Sequence, residues 1–113
     1  MKKIEAIIRS SKFEDVKEAL EAIGIRFFTF FEVKGHGLEK EDEIKYRGAI
    51  YDSGYIPRQK LEIVVQESDI QPVVEAIQKH AYTGQIGDGK IIVTHIEAFL
   101  RIRTGETSEA ALS

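Results

Sequence analysis

Twice along the chain a short apolar run of strand type gives way to an amphipathic helical pattern and then to a second apolar run. That order restricts the fold more than any other feature. In the first unit, Lys3 to Arg9 carries Ile4, Ala6, Ile7 and Ile8, too short for a helix by itself and apolar enough for a strand. Ser11 with Glu14 has the form of a capping box, and Phe13, Val16, Ala19, Leu20 and Ile23 follow at helical spacing until Gly24, a residue type that ends helices. Residues 25–33, IRFFTFFEV, are dense in aromatic and β-branched side chains and predict a strand. In the second unit KLEIVVQ at 60–66 alternates as a strand, and Ser68 or Asp69 caps a helix. That helix has Pro72 in its first turn, Ile70, Val73, Val74 and Ile77 on one face, and Lys79 and His80 at its end. A final strand runs from Lys90 toward Arg103. Strand, helix, strand, loop, strand, helix, strand is the order of an α+β, ferredoxin-like βαββαβ sandwich: a four-stranded antiparallel sheet with both helices on one face. The 113 residues fit a single domain, 1–113.

The aromatic strand bears on assembly as well as on fold. Phe27 and Phe31 would point one way from it, Phe28 and Phe30 the other, whereas a sheet covered by helices on one face needs apolar side chains on that face alone. A second apolar face predicts contact with further copies of the chain, hence a homo-oligomer; the alternative is one aromatic side chain packed beneath a loop. Between the two units, Lys34 to Tyr55 has no periodicity, with five charges in the six residues from Glu39 to Ile44 and glycines at 35, 37, 48 and 54. Loops of this length within compact domains are usually functional. This one offers Tyr46, Arg47 and Tyr51 for recognition, unless it is a β-ribbon whose tyrosines merely pair across strands.

Residues 83–103, TGQIGDGKIIVTHIEAFLRIR, set a glycine-rich turn before an apolar run closed by two arginines. Gly84, Gly87 and Gly89 permit positive φ and close approach of the backbone, so successive N–H groups can face an anion; Lys90, Arg101 and Arg103 add positive charge. Read as one strand, Lys90 to Arg103 spans more than about 40 Å. Both ends then serve one phosphate only if the run bends or a neighbouring copy supplies the other half. The turn lacks the spacing and the hydroxyl of a P-loop, and a plain turn followed by a solvated arginine face accounts for the same residues.

Charge and composition narrow the function classes. Sixteen basic and 19 acidic side chains give a net charge of −3 without a basic block, which argues against nucleic acid as the main partner. The absence of cysteine excludes disulfides, thiolate metal sites and thiol catalysis, and suits a reducing compartment. The start, MKKIEAIIRSSKFED, is interrupted by Glu5 and Arg9, so it reads as neither a signal peptide nor a membrane span, and a cytoplasmic location is expected. GETSEAALS at the end reads as a polar tail with little fixed structure. With no asparagine in the chain, an acylphosphatase-like site is disfavoured. His36, His80 and His95 have no metal-ligand spacing, and no Ser/His/Asp arrangement is suggested. No catalytic constellation is visible, and a non-enzyme is expected.

KKIEAII, DVKEALEAIGI, EVKGHG, YRGAIY, LEIVV, TGQIGDGKI and RIRTGE, spread over nearly the whole chain, resemble the PII nitrogen-regulatory signal proteins. The resemblance implies the same βαββαβ unit, a homotrimer, and ATP or ADP bound in clefts between subunits. It implies that Gly87, Asp88, Gly89 and Lys90 cradle the phosphates, with Arg101 and Arg103 completing the charge from the same or the adjacent chain. Thr29, Glu62 and Val64 would line the adenine and ribose side, with Gly35 and Gly37 close to the nucleotide. Residues from about 36 to 56 correspond to the family's effector loop; in it Arg47 would enter an ammonium channel, and Tyr51 stands where some bacterial members are uridylylated.

The departures from the pattern concern the third ligand and the partner. Glu39 stands where members that sense 2-oxoglutarate have a glutamine that helps to hold Mg²⁺ and the keto acid. A carboxylate is a good hard-oxygen ligand for Mg²⁺, yet it adds negative charge beside a triphosphate and a dianion. Leu38 replaces an arginine and Glu41 a glycine, while Arg58 keeps a cation where lysine is typical, able to meet a carboxylate ligand or Glu39. Ile50 replaces an acidic residue and Ile92 an aromatic one. The expectation is an adenine-nucleotide sensor in which 2-oxoglutarate binding is weakened or lost. It would control an ammonium transporter or a nitrogen-metabolism enzyme through its loop, and meet a membrane only through a transporter. The alternative is a PII-like trimer that binds metal or another small anion and has no role in nitrogen uptake.

Overall fold

The computed structural model describes residues 1–36 and 56–112; the expectations for Gly37, Leu38, Glu39, Glu41, Tyr46, Arg47, Ile50 and Tyr51 lie outside the described residues. Among the described residues six main elements follow one another: β1 Lys2–Arg9, α1 Phe13–Ala22, β2 Thr29–Gly35, β3 Ile56–Val65, α2 Ile70–Ala81 and β4 Gly89–His95. The sheet has the order β2-β3-β1-β4 with every neighbouring pair antiparallel, the βαββαβ sandwich that the periodicity predicts.

The alternation within the strands sets the layers. Ile4, Ala6 and Ile8 of β1 and Leu61, Ile63 and Val65 of β3 are buried, and Ile4 pairs with Ile63 and Ala6 with Leu61, so these side chains share one face. Against that face α1 sets Val16 and Leu20 and α2 sets Val73, Ile77 and Ala81, each at the i, i+4 or equivalent spacing of one helical stripe. Burying each of the larger side chains contributes about 2 kcal/mol. The opposite, open face carries Lys3, Glu5, Lys60 and Glu62 in a grid of ion pairs. Lys60 lies 2.8 Å from Glu5 and 3.8 Å from Glu62, and Lys3 lies 3.2 Å from Glu62 and 3.5 Å from Glu5. The Lys60 hydrogen bond holds the Glu5 carboxyl below its ordinary value against the opposing effect of burial, and the same bond raises the Lys60 ammonium.

Several local expectations are corrected. Both helices are entered through 3₁₀ turns, Ser10–Lys12 and Glu67–Asp69, and neither N-cap, Lys12 or Asp69, makes a side-chain cap bond. The Ser11 capping box and the Ser68 or Asp69 cap are therefore not formed. The tighter turns place Ser11 and Ser68 ahead of the first α-helical residue and satisfy backbone donors themselves, as Phe13 N–H does on the Ser10 carbonyl. β2 begins at Thr29 instead of Ile25, because the Ile25 N–H bonds back to the Leu20 carbonyl and keeps residues 25–28 in the connection. Its aromatics still divide between faces: the Phe30 ring centroid is 4.6 Å from that of Phe13 under α1, and Phe31 has Lys60 Nζ 5.7 Å from its ring centroid on the open face. Lys34, Gly35 and Ile56–Gln59, read as loop or left unassigned, belong to the β2–β3 ladder. Pro57 is tolerated there because the β1–β3 ladder stops at Arg9 and Arg58, leaving Pro57 beyond the end of β1.

The largest correction concerns the last strand. β4 ends at His95; Ile96 N–H still bonds to the Met1 carbonyl in the register of the β1–β4 ladder, and the run to Arg103 then turns back, with Leu100 bridging Thr107 across a tight turn. The polar tail is ordered, with a 3₁₀ helix at Ser108–Leu112.

Candidate functional site

The glycine turn is built around one carboxylate. Asp88 accepts hydrogen bonds from the Thr83 hydroxyl, from the Thr83 N–H at 2.8 Å, from the Gly84 N–H at 2.9 Å and from Arg9 Nε at 3.0 Å. Partial burial works to raise its pKa, but the bonds from Thr83, Arg9 and Gly84 outweigh that and hold the carboxyl far below the usual carboxylate range. Gly84, Gly87 and Gly89 all have positive φ, at 85°, 101° and 104°. At Gly89 glycine is demanded twice over, because a Cβ would also lie 1.7 Å from the Ile7 carbonyl oxygen. The turn is thus pressed against the end of β1, and Lys90 leaves it paired with Ile7, on the open face of the sheet.

Cross-strand rows locate the other candidates. Phe31, Lys60, Ile7 and Lys90 form one row; Thr29, Glu62, Glu5 and Ile92 form the next, toward the start of β2; Val33, Arg58 and Arg9 form the row on the other side. Gly35 is two residues further, opposite Ile56, with Arg58 Cγ 3.9 Å from where its Cβ would stand. Arg58 is 5% exposed. Gly35, Arg58, the turn 87–89 and Lys90 therefore occupy one end of the sheet.

Thr29, Glu62 and Val64 meet in a different place, an open cavity of about 760 Å³ that also includes Arg26, Phe28 and Phe99. Phe99 is at the base of the hairpin whose turn carries Arg101 and Arg103. Arg101 is held in that hairpin by Glu106 Oε1, which accepts from Nη1 at 2.7 Å, and by the Ala110 carbonyl, which accepts from Nη2 at 3.3 Å; Arg103 is exposed. Thr29 and Lys90 stand three strands and one two-residue step apart, about 16 Å between Cα atoms, with the Lys3, Glu5, Lys60, Glu62 grid between them. Thr29 and Lys90 thus stand on opposite edge strands, while Gly35 shares the edge strand of Thr29 at its other end.

Arg9, Thr83 and Glu106 were not singled out as site residues in the sequence. Arg9 is separated from Asp88 by 79 positions, so no local pattern connects them. Thr83 was within the turn but has no motif of its own. Glu106 was assigned to the tail. Among the described residues, no group of three or more histidine and carboxylate side chains is placed to hold a metal, and no helix is long and apolar enough to cross a membrane.

Comparison with known proteins meets this geometry from another side. The profile of the family described as nitrogen regulatory protein P-II matches residues 1–106. Nitrogen regulatory protein P-II of Azospirillum brasilense is 49% identical over 112 residues, covering 99% of this chain and all of the relative. Nitrogen regulatory protein GlnK of Escherichia coli K12 is 46% identical with the same coverage. A crystal structure of Arabidopsis thaliana PII bound to citrate superposes with a TM-score of 0.80 at 36% identity, covering 97% of this chain and 90% of that one. The match extends over both halves of the sheet, the glycine turn and the arginine hairpin, and on it the chain belongs to the nitrogen regulatory protein P-II family, whose members are regulatory signalling proteins and not enzymes.

Proposed function

We propose that the chain is a cytoplasmic homotrimer that binds ATP or ADP in each cleft between subunits. Gly35, Gly37, Gly87, Gly89 and Lys90 of one copy would supply the phosphate cradle, and Thr29, Glu62, Val64, Arg101 and Arg103 of the next would supply the base-side wall and the remaining charge. The observation that carries this reading is the placement of Thr29 and Lys90 on opposite edge strands of one sheet, about 16 Å apart. A neighbouring copy that brings its Thr29 end against Lys90 of the first would unite the two halves. In this reading Asp88 serves the cradle by shaping it, since its carboxylate is occupied by Thr83, Gly84 and Arg9.

The nucleotide would then bias the segment from about 36 to 56 through different contacts in its ATP and ADP states. That segment would regulate an ammonium transporter or an enzyme of nitrogen metabolism, with Arg47 as the channel-entering residue and Tyr51 as the modification site. Glu39, with Arg58 in β3, would place a carboxylate where Mg²⁺ and 2-oxoglutarate would sit. The added charge favours the metal and disfavours the dianion. The relative solved with citrate supports a fold that accepts a carboxylate anion, and does not distinguish these ligands. Calorimetric titration of ATP and ADP with Mg²⁺, with and without saturating 2-oxoglutarate, tests the reading. Nucleotide binding indifferent to the keto acid is expected. Keto-acid-enhanced ATP binding would restore Glu39 as a working ligand of a carbon and nitrogen sensor, and absence of nucleotide binding would remove the proposal.

A further inference from the structure

Arg9 is the last residue of β1, and its guanidinium crosses to the glycine turn in two places. Nε donates to Asp88 Oδ1 at 3.0 Å and Nη2 donates to the Ile86 carbonyl at 2.9 Å. The remaining partners of Asp88, the Thr83 hydroxyl and the N–H groups of Thr83 and Gly84, all lie within the turn. Arg9 is therefore the side chain that ties this self-contained turn to the sheet.

The second bond has a directional consequence. The Ile86 carbonyl and the Gly87 N–H belong to one peptide unit, which is planar and trans, so the two groups point in opposite directions. With the carbonyl drawn onto Arg9, the Gly87 N–H is turned away from Arg9. The first bond has an electrostatic consequence: the Asp88 carboxylate, which beside a phosphate is repulsive, is paired with a guanidinium in a partly desolvated place.

We propose that Arg9 is a positioning residue for phosphate binding. It aims the Gly87 N–H at the anion and neutralises the carboxylate that shapes the turn. This rests on the nucleotide-binding reading above and adds to it a residue that makes no contact with the ligand. Loss of Arg9 leaves a charged carboxylate with only neutral donors beside the phosphate site, and frees the Ile86 peptide to rotate.

The test uses the full chain and the variants Arg9→Gln, Arg9→Lys and Arg9→Gln/Asp88→Asn, titrated with ATP, ADP and adenosine and followed by NMR. Arg9→Gln is expected to weaken ATP at least about tenfold while adenosine, which has no phosphate to place, changes by less than about twofold. Arg9→Lys keeps the charge but not both bonds and is expected to recover part of the loss; if Arg9→Gln does not fold, Arg9→Lys alone carries the comparison. Removing the stranded charge in the double variant is expected to leave ATP no weaker than in Arg9→Gln alone. Equal losses for ATP and adenosine would indicate a general structural role and overturn the proposal, as would ATP affinity unchanged in both single variants. A wild-type chain that binds neither ATP nor ADP would overturn the nucleotide reading itself, a result distinct from wild-type binding that the variants retain.

Discussion

Asp88 accepts from Thr83, Gly84 and Arg9 on both carboxylate oxygens, bonds that are strongest while it is ionised, so the order of the glycine turn depends on pH. Its folded-state pKa is depressed below the ordinary value of about 3.9. The stability this contributes is fully present above the unfolded value and is lost as pH falls from about 5 toward the folded pKa. Glu5, also depressed, acts with the same sign. Asp88→Asn is expected to lower the melting temperature at neutral pH and to flatten, without abolishing, its fall below about pH 5. Thermal melts across that range check this, and an unchanged slope would mean the turn's bonds contribute little. At this scale Gly89 was legible as a turn residue, since its role is local conformation. Its contact with Ile7, and the contact of Arg9 with Asp88, were not, because each joins residues about 80 positions apart in sequence.

At the scale of elements, the hairpin after β4 departs most from the apolar pattern. Leu100 to Ile102 continues the alternation of a strand, but Arg101 and Glu106 close a turn through both backbone and side chains. A turn of this kind is carried by pairings that begin only once the chain has reversed, and Gly105 was its sole sequence marker. Arg101 is oriented by Glu106 in a pair whose carboxylate is 45% exposed. Glu106→Ala is therefore expected to cost less than about 1 kcal/mol of stability, yet to weaken ATP severalfold by releasing Arg101. Paired melts and ATP titrations separate the two effects. A gain in affinity would instead mean that Glu106 competes with the phosphate for Arg101.

At the scale of the molecule, several large apolar side chains stand exposed on the single chain. Phe27 is 81% exposed, Ile86 73% and Ile102 96%, and Phe31 and Ile92 stand on the open sheet face beside the ion-pair grid. Such surface is expected where copies meet. The mass in solution should be three times 12.8 kDa by light scattering. Ile92→Glu, which sets a like charge across from Glu5, should reduce it toward the single chain while the far-ultraviolet circular dichroism is retained. A wild-type chain of single-copy mass, or an Ile92→Glu trimer, would count against assembly through this face.

The element order, the α+β class, the core stripes and the glycine turn were determined by the sequence itself, because helical and strand periodicities and positive-φ glycines are properties of neighbouring residues. So were the quoted motifs that mark the P-II family. The tertiary structure alone decided the 3₁₀ entries in place of side-chain caps, the early end of β4, the tie between Arg9 and Asp88, and the separation of Thr29 from Lys90 on opposite edge strands. Those depend on register and on contacts between distant segments, and no periodicity within a single segment encodes which residues a fold will bring face to face.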